Sequence, residues 1–513
     1  MGRKRWLLGC FVASAALVLY VATVAPGLTL RHWGADGGDL VAAARTLGVP
    51  HPPGFPTYIV LAWLATHLPV GSIAYRVNLL SAITGAAAIG FVGVAGFTTL
   101  PRGQSRWLPA ASAALTLAFA PLVWSQAIIG EVYAPAFCFA SLALLLAIEW
   151  RRHGEVELLW AFALVFGLGL GVHLTLVVVL PAVTVLLWPE RRLWLRKKTL
   201  APCVALFLAG LSAYSYLPVA ASTVPPVNWG APSTWPRFLW VVAAKPYQSL
   251  VFGLPPSHIL PRLEEWAGIL VHQLGWGGWL LALLGLAQLL RSDVALALCG
   301  ITWFASTALL ALFYDSQDSL VYLVPSMAAV ALWLSQGLGC LHRWGQRQGL
   351  PARVAASTLI LLLPVSSLAL NWADMDLSHD RQCATYADQV LRALDPNAIV
   401  LAQGDQPTFV LWYAVHAEGQ RPDVAVVNTR LLGFDWYRDN IRHTYPRVEV
   451  PELSLAHISD PQQMRELVTH NYLEHPIYAL DPSDTWLEWF DLAQVHGSPV
   501  FRVRPLPKWE RQP

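Results

Sequence analysis

Two carboxylates three residues apart stand out in the stretch GADGGDLVAAARTLGVPHPPGFP, where Asp36 and Asp39 precede a rigid His-Pro-Pro-Gly turn. The stretch lies between two apolar segments, and a carboxylate beside lipid is costly unless it is paired, hydrated or functional. An ionised carboxylate is suited to take a proton from a hydroxyl group as a general base. The oxygen atoms of the pair would also suit Mg²⁺ or Mn²⁺. A structural alternative, in which either aspartate only caps a helix, has at least equal weight when the pair is considered alone.

Four further polar side chains lie near the ends of apolar segments. They are Glu131 in WSQAIIGEVYAP, His173 in GLGLGVHLTL, and Asp315 and Asp318 in FYDSQDSLVYLVP. Each has a structural alternative: a helix cap for Glu131, a satisfied buried histidine for His173, and solvated loop residues for the two aspartates. Because ionisable groups beside a membrane are functional by default, we expect these side chains to converge with the aspartate pair on one cavity.

The composition is that of a polytopic membrane protein. Of 513 residues, 55% are hydrophobic and 13% are charged, against about 25% charged in soluble domains. The six cysteines form no Cys-x-x-Cys pair, which argues against a zinc ribbon or a disulfide framework. The first apolar run is long for a signal peptide, so it predicts a retained first helix. Apolar runs predict about eleven transmembrane helices, at 6–26, 76–99, 107–127, 134–150, 157–172, 174–188, 199–221, 266–290, 293–313, 319–341 and 351–371.

The basic loops indicate the orientation of these helices. If the apolar run 55–70 does not cross the membrane, the loops MGRKR, RGQSR, RRHGEVE, PERRLWLRKK and HRWGQRQG share one side, as the positive-inside rule requires. We therefore predict two interfacial helices in the first loop (residues 27–75), at 39–49 and 55–70. The N-terminus is then cytoplasmic, and the long loops and the tail lie outside. With 29 Arg against 5 Lys and no Asn-x-Ser/Thr site, the composition favours the inner membrane of a bacterium, with a periplasmic tail.

The chain divides into a membrane domain, residues 1–371, and a soluble tail domain, residues 372–513. Alternating helix and strand patterns, with strands at AIVLAQ, DVAVVN, PIYALD and PVFRVRP, predict that the tail domain is a small α/β domain. The segment GDQPT at 404–408 follows a strand and precedes a helix, a position where ligands often bind in α/β sheets. A helix cap at Asp405 or Thr408 is the favoured interpretation of this segment.

An acid pair at the outer surface of a membrane suits the transfer of a sugar from a lipid phosphate. The lipid tail lies in the bilayer and the sugar at its surface, so a base there can deprotonate an acceptor hydroxyl beside the anomeric carbon. A cation must steady the leaving phosphate, and Arg31, Arg45 and Arg76 are near in sequence. A transporter or flippase is the first alternative, but it predicts acids in mid-span and internal repeats. A non-enzymatic membrane scaffold is the second alternative.

The segment ADGGDLVAAARTLGVPHPPGFPTYIVL resembles the Asp-x-Gly-acid…His-Pro-Pro-Gly-[Tyr/Phe]-Pro signature of a GT-C-type family of polytopic membrane glycosyltransferases. This family, formerly a domain of unknown function, is related to the protein O-mannosyltransferases. The segments RVNLLSAITGAAA, WSQAIIGEVYA, GLGLGVHLTL, VNWGAPSTWPRFLWVV and GDQPTFVLWYAVHAEGQRPDVAVVN are similar to further blocks of the family. The resemblance extends from residue 27 to about residue 440.

The resemblance implies a GT-C fold and an inverting transfer of a hexose, such as mannose. The donor would be a polyprenyl-phosphate sugar, and the acceptor a protein or glycan hydroxyl on the outer face. Asp36 matches the family's aspartate, and Asp39 matches its second acid, which is usually Glu. We favour Asp36 as the base, with Asp39 positioning the acceptor or a metal ion, but the sequence leaves the choice between them open.

The expected substrate-binding residues come from the same blocks and their neighbours: Arg45, His51, Pro53, Arg76, Glu131, Tyr133, His173, Asp315 and Asp318. A metal-free reaction is slightly favoured over one that uses a divalent cation (Mg²⁺ or Mn²⁺) held by Asp36, Asp39 and Glu131, and the choice stays open. The expected partners are the lipid-linked sugar donor, the protein or glycan acceptor and the lipid bilayer. No nucleic-acid partner is expected.

Overall fold

Long apolar helices dominate the computed structural model, which describes residues 2–102, 105–451 and 460–506. Within these ranges, eight helices are long and apolar enough to cross a bilayer, and a pair of helices that meet at a 65° bend adds a ninth span. The prediction of a polytopic helical membrane protein is confirmed. The nine spans are Arg3–Thr23, Ile73–Thr99, the bent pair Trp107–Ala118 and Pro121–Ala127, Tyr133–His153, Leu174–Trp194, Lys197–Ser222, Pro256–Ser292, Val294–Phe313 and Leu350–Met375.

The other two predicted spans are helices that differ from these in length or composition. The helix Val156–Leu170 has 15 residues, a length of about 22 Å where a bilayer core is about 30 Å thick. The helix Ser326–Arg347 is buried along most of its length. It packs so closely on the helix Pro256–Ser292 that a Cβ added at Gly285 would lie 1.8 Å from the Trp333 carbonyl oxygen. Glycine permits this approach, so Ser326–Arg347 lies inside the bundle.

The basic loops meet at one end of the bundle. The Arg5 guanidinium donates to the Glu149 carboxylate at 2.7 Å, and the Arg151 guanidinium donates to the Asp293 carboxylate at 2.8 Å. The N-terminal segment and two later loops therefore share this end, as the predicted topology requires. The first loop and the tail domain lie at the opposite end, which we call the cavity face because a large cavity, described below, opens there. That the cavity face is extracytoplasmic stays a prediction.

The first loop contains two short helices, Gly37–Thr46 and Pro56–Thr66, at the positions predicted for interfacial helices. The second helix exposes Val60 and Leu64, which are 41% and 55% accessible, as expected of a helix that lies in a membrane interface. The first helix is buried from Gly37 to Ala44. It lies between the bundle and the tail domain, so it is enclosed by protein rather than by lipid headgroups.

Five strands form one sheet in the tail domain: β1 (Ile399–Ala402), β2 (Ala425–Asn428), β3 (Ile477–Leu480), β4 (Phe490–Gln494) and β5 (Val500–Pro505). Their order is β2-β1-β3-β5-β4. β1 is parallel to β2 and β3, whereas β5 is antiparallel to β3 and β4. The predicted α/β tail is confirmed. β4 was not predicted, because it is a largely exposed edge strand with a weak apolar pattern.

Helices complete the tail domain, and polar contacts dock it on the cavity face. The described helices are Gln382–Ala393, Asp405–Trp412, Asp435–Thr444 and Asp460–Asn471. The Glu418 carboxylate accepts a hydrogen bond from the Ile73 backbone N–H at 2.8 Å, at the start of a spanning helix, where an anion is favourable. The Asn440 amide donates to the Pro226 carbonyl oxygen at 2.8 Å. The tail is thus attached to the start of a spanning helix and to the loop that follows Ser222.

Gly38, in the first loop, packs directly against the backbone of the tail domain. A Cβ added at Gly38 would lie 2.3 Å from the Phe409 backbone oxygen, and backbone cannot move aside as a flexible side chain does. We expect Gly38→Ala to cost about 1–3 kcal/mol of stability, as overpacking does, measured by thermal unfolding in detergent. The matched control is Gly268→Ala, because Gly268 lies in a helix with no atom within 4 Å of an added Cβ. An equal loss in both variants would contradict the packing explanation.

Candidate active site

A cavity of about 940 Å³ lies at the cavity face. Its walls come from the first loop, from residues 131–133 and 173–178, from the turns around 243–251 and 314–322, and from the tail segment 404–409. Seven of the eleven predicted site residues line it: Asp36, His51, Pro53, Glu131, Tyr133, His173 and Asp318. The structure thus brings together residues that are nearly 300 positions apart in the chain.

Asp36 presents its carboxylate to the cavity. Its side chain is 38% exposed, and its Oδ2 lies 3.6 Å from Nε2 of His51. Burial raises the pKa of Asp36, the His51 charge opposes this, and Asp318, Asp39 and Asp405 add to it, so that the pKa is about 6. The carboxylate is therefore ionised at neutral pH but basic enough to take a proton from a hydroxyl group.

Asp39 is enclosed, and both of its carboxylate oxygens are hydrogen-bonded. Its side chain is 0% exposed. One oxygen accepts from the His51 backbone N–H at 2.9 Å and faces His51 Nδ1 at 2.8 Å, and the other accepts from Trp229 Nε1 at 2.9 Å. Because an ionised carboxylate only accepts, Nδ1 of His51 carries a proton. Asp39 therefore orients His51, so that Nε2 faces Asp36, and has no free oxygen for an acceptor or a metal ion.

His51 carries the positive charge of the cavity. Burial alone would lower its pKa, but Asp36 and the hydrogen-bonded Asp39 outweigh burial and raise the pKa of His51 to about 9. The His-Pro-Pro-Gly turn holds the ring in place, since the Gly54 N–H donates to the His51 carbonyl oxygen at 3.0 Å. Gly54 has φ of +86°, and a Cβ there would lie 2.9 Å from Leu217, so the turn requires glycine.

Glu131 is buried with an unused oxygen. The residue is 1% exposed and lines the cavity, and its Oε1 has no hydrogen-bond partner in the described part of the chain. Burial raises the pKa of Glu131 well above its usual range, and the negative charges of Asp36 and Asp318 raise it further. A protonated carboxyl at this position can both donate to and accept from a substrate hydroxyl.

His173 lies among aromatic rings. Its ring centroid is 5.7 Å from that of Phe55, 5.5 Å from that of Tyr133 and 5.7 Å from that of Tyr322. Its Nδ1 is 2.6 Å from the Thr175 hydroxyl oxygen. Burial, together with the positive charge of His51, lowers the pKa of His173 to about 4, so this histidine is neutral. The group forms an aromatic wall with polar edges, which suits the apolar face and the hydroxyls of a sugar ring.

The structure does not bring Arg45, Arg76 or Asp315 to the cavity. The Arg76 guanidinium donates to three backbone carbonyls within residues 66–71, at 2.8 to 3.1 Å, and so closes the loop before its own helix. Arg45 is exposed, and Asp315 is half-buried outside the cavity lining. Neither Arg nor Lys is among the described residues that line the cavity.

Trp229, Tyr247 and Asp405 line the cavity but were not among the predicted site residues. Asp405 had been interpreted as a helix cap. It is the first residue of the helix Asp405–Trp412, whose N-cap position is occupied by Gly404, and it is exposed toward the cavity. The position of its segment after a strand was the available signal. Trp229 lies in the family-like block VNWGAPSTWPRFLWVV, but nothing local in that block indicates a contact with Asp39.

A metal site is not evident in the residues that the structure describes. No group of three or more His, Cys, Asp or Glu side chains in them is arranged to hold a metal ion. Of the three ligands considered from sequence, Asp39 has both oxygens engaged by His51 and Trp229. Only Asp36 and Glu131 of that set present a carboxyl oxygen to the cavity.

Two family models match the chain. The model described as the protein O-mannosyl-transferase TMEM260 N-terminal domain matches residues 36–194, and the TMEM260-associated domain 2 matches residues 383–491. The mouse protein O-mannosyl-transferase TMEM260 is 28% identical over 488 residues, 88% of this chain and 67% of its own length. The Dictyostelium discoideum homologue is 24% identical, over 93% of this chain and 64% of its own length. The chain thus spans about two thirds of the relatives' length.

Solved structures share the fold at low identity. ArnT from Cupriavidus metallidurans bound to undecaprenyl phosphate gives a TM-score of 0.58 at 12% identity, with 99% of both chains covered. The apo form gives a TM-score of 0.59 at 13% identity, with both chains covered in full. The Archaeoglobus fulgidus oligosaccharyltransferase, tethered with an acceptor peptide, gives a TM-score of 0.50 at 12% identity over 98% of this chain and 74% of its own.

Proposed function

Because this chain belongs to the GT-C-type family of polytopic membrane glycosyltransferases related to protein O-mannosyltransferases, we propose that it transfers a hexose, mannose in the first instance. The donor is a polyprenyl-phosphate sugar, and the acceptor is a hydroxyl of a protein or glycan at the extracytoplasmic surface. The observation that carries the proposal is the Asp36 carboxylate, presented to the cavity and held by the His51–Asp39 pair.

Asp36 acts as the general base in a direct displacement. It takes the proton from the acceptor hydroxyl as the hydroxyl oxygen bonds to the anomeric carbon. The bond from that carbon to the phosphate oxygen breaks, and the phosphate leaves with the electron pair, so the anomeric centre is inverted. A base with a pKa of about 6 suits this step because it is ionised at neutral pH yet still accepts a proton in the transition state.

His51 supplies the positive charge that an anionic leaving group needs. Its pKa of about 9 keeps the ring protonated at neutral pH, and neither Arg nor Lys lines the described cavity. A fixed charge in a cavity shielded from water stabilises developing negative charge more strongly than the same charge in water. We assign this role to His51 in place of the arginines expected from sequence.

One wall of the cavity is suited to a prenyl chain. Leu174, Val177, Val178, Val251 and Leu310 line it, and Val177 and Val251 remain 52% and 45% exposed. These residues lie at the ends of spanning segments or beside them, so this wall is the part of the cavity nearest to the bilayer. The structural neighbour ArnT was solved with undecaprenyl phosphate, which supports a lipid-linked donor for this chain as well.

The pH dependence of transfer should follow the two charged groups. We expect kcat/KM to rise through about pH 6 as Asp36 ionises and to fall through about pH 9 as His51 loses its proton. The sign follows from the mechanism: the reaction needs Asp36 without its proton and His51 with it. In His51→Gln the acid limb should move to higher pH, because the charge that opposes the rise in the Asp36 pKa is gone. A flat profile in the wild type would contradict both assignments.

The test of the proposed function is sugar transfer by the purified protein. Radiolabelled polyprenyl-phosphate mannose is the donor, a membrane extract supplies acceptors, and each reaction is run with and without EDTA. We expect label in the acceptor fraction and an equal release of polyprenyl phosphate. Loss of transfer with EDTA and its recovery with Mg²⁺ or Mn²⁺ would establish a metal requirement. If no polyprenyl-phosphate hexose is consumed, the transferase proposal fails, and lipid movement across vesicles tests the transporter alternative.

A further inference from the structure

Trp229 is bonded to the first loop through both its backbone and its side chain. Its backbone N–H donates to the Val49 carbonyl oxygen at 2.9 Å, and the Val49 N–H donates to the Val227 carbonyl oxygen at 2.9 Å. This short bridge ties residues 227–229 to the segment that leads into His51. The indole N–H then donates to Oδ1 of Asp39 at 2.9 Å. The side chain therefore meets the acid that orients His51.

The Trp229 ring also lies edge-on to the His51 ring, with the centroids 6.3 Å apart, and its further ring contacts come from the tail domain. Its centroid lies 6.3 Å from that of Phe409, 6.4 Å from that of Trp412 and 5.7 Å from that of Trp436. All three tail rings are buried, at 2%, 4% and 5% exposure. Aromatic pairs at these separations are stabilising beyond the burial of their apolar area. Three rings from the tail thus fix one indole of the membrane domain.

Trp436 makes this contact at a cost. Its indole nitrogen is buried without a hydrogen-bond partner among the described residues, and a buried donor that makes no hydrogen bond is destabilising. The Trp436 ring nevertheless packs on Trp229. It also packs on Phe434 and Tyr437, whose ring centroids lie 5.6 and 5.7 Å from its own. Shape and packing, not a polar bond, are what Trp436 supplies.

We infer that Trp229 is a positioning residue for catalysis and that the tail domain is part of the active site. The rings of Phe409, Trp412 and Trp436 hold the indole, the indole holds Asp39, and Asp39 orients His51 toward Asp36. This inference rests on the proposed function, in which Asp36 and His51 take part in sugar transfer. It gives the tail domain a role in the chemical step, in addition to any role in presenting the acceptor.

The test follows the Trp229 indole and the reaction in the same variants. Full-length protein labelled with ¹⁵N-tryptophan is studied by NMR in detergent, and the Trp229 indole signal is assigned by its loss in Trp229→Phe. Trp436→Leu removes the packing ring, and Asp39→Asn shows how the signal responds when the acceptor changes. Trp486→Leu is the matched control, because Trp486 is a buried tail residue whose ring partner, Phe490, lies in β4 at the far edge of the sheet.

We expect Trp436→Leu to move the Trp229 signal and to lower kcat about tenfold, with an unchanged KM for the donor. This loss is smaller than the roughly 100-fold that a 1 Å misplacement of a catalytic group can cause, because the leucine still fills part of the site. Trp229→Phe should lower kcat by at least as much. Both variants should move the acid limb of the pH profile upward, because a less well held Asp39 leaves less positive charge on His51. Trp486→Leu should change neither the signal nor kcat per folded molecule.

An unmoved Trp229 signal in Trp436→Leu would overturn the inference, as would wild-type kcat and pH profile in Trp229→Phe. A wild type that transfers no sugar would defeat the proposed function, and the NMR comparison would still decide whether the tail domain holds Trp229. The two failures are therefore distinguishable.

Discussion

Asp36→Asn should lower kcat for sugar transfer by about 10²–10⁴-fold, the usual contribution of a general base. The variant keeps the size of the side chain and its capacity to accept a hydrogen bond, but it cannot take a proton. The KM for the donor should change little, because the substituted group acts on the acceptor hydroxyl in the transition state. Steady-state transfer with a saturating acceptor measures the loss.

The matched control for this variant is Asp315→Asn. Asp315 is an acid of the same cavity face, but it lies outside the cavity lining, so its replacement should leave kcat near the wild-type value. The Asp36 side chain is 38% exposed, and we therefore expect Asp36→Asn to unfold at the wild-type temperature. Wild-type turnover in Asp36→Asn, or an equal loss in Asp315→Asn, would show that Asp36 is not the base.

The sequence identified the acid pair but could not divide the roles within it. A spacing of three residues suggests one helix face for both side chains. In the structure, Asp36 ends a 3₁₀ turn, Arg31–Asp36, and the helix begins only at Gly37. The two carboxylates therefore belong to different elements, and one lines the cavity while the other is enclosed. The two residues before Gly34, His32 and Trp33, have positive φ, which no periodicity rule anticipates.

Closeness in sequence did not identify the positively charged residue of the site, because the arginines near the acid pair do not line the cavity. Arg76 is near the acid pair along the chain, but a guanidinium has five donors, and here the end of a loop offers it three carbonyls. The residues that do complete the cavity come from far away: Trp229 is 190 positions from Asp39, and Asp405 follows after the last membrane helix. Nine of the eleven predicted spans and four of the five strands that the structure describes were predictable because their patterns are local. These cavity contacts join residues that are distant in the chain, and the position of Asp405 depends on docking of the tail.

Asp39→Asn should lower both stability and turnover. The carboxylate is 0% exposed and receives bonds from His51 and Trp229, and an amide would turn one NH₂ donor toward donors already there. Breaking a buried charged pair costs about 3–5 kcal/mol, so the apparent unfolding temperature should fall clearly below that of the wild type and of Asp36→Asn. Asp39→Glu, which restores the charge on a longer side chain, should recover part of the loss.

The pH profile of Asp39→Asn distinguishes a residue that positions His51 from a residue that acts as the general base. Without the Asp39 carboxylate, the pKa of His51 falls, so the base limb of Asp39→Asn should move below about pH 9. The weaker positive charge then allows the pKa of Asp36 to rise, so the acid limb should move above about pH 6. The pH range in which Asp39→Asn transfers sugar is therefore narrower at both ends. Some activity remains at its optimum, because Asp36 is still present to accept the proton. If Asp39→Asn instead abolished transfer at every pH and kept the wild-type unfolding temperature, Asp39 would be the base and Asp36 its partner.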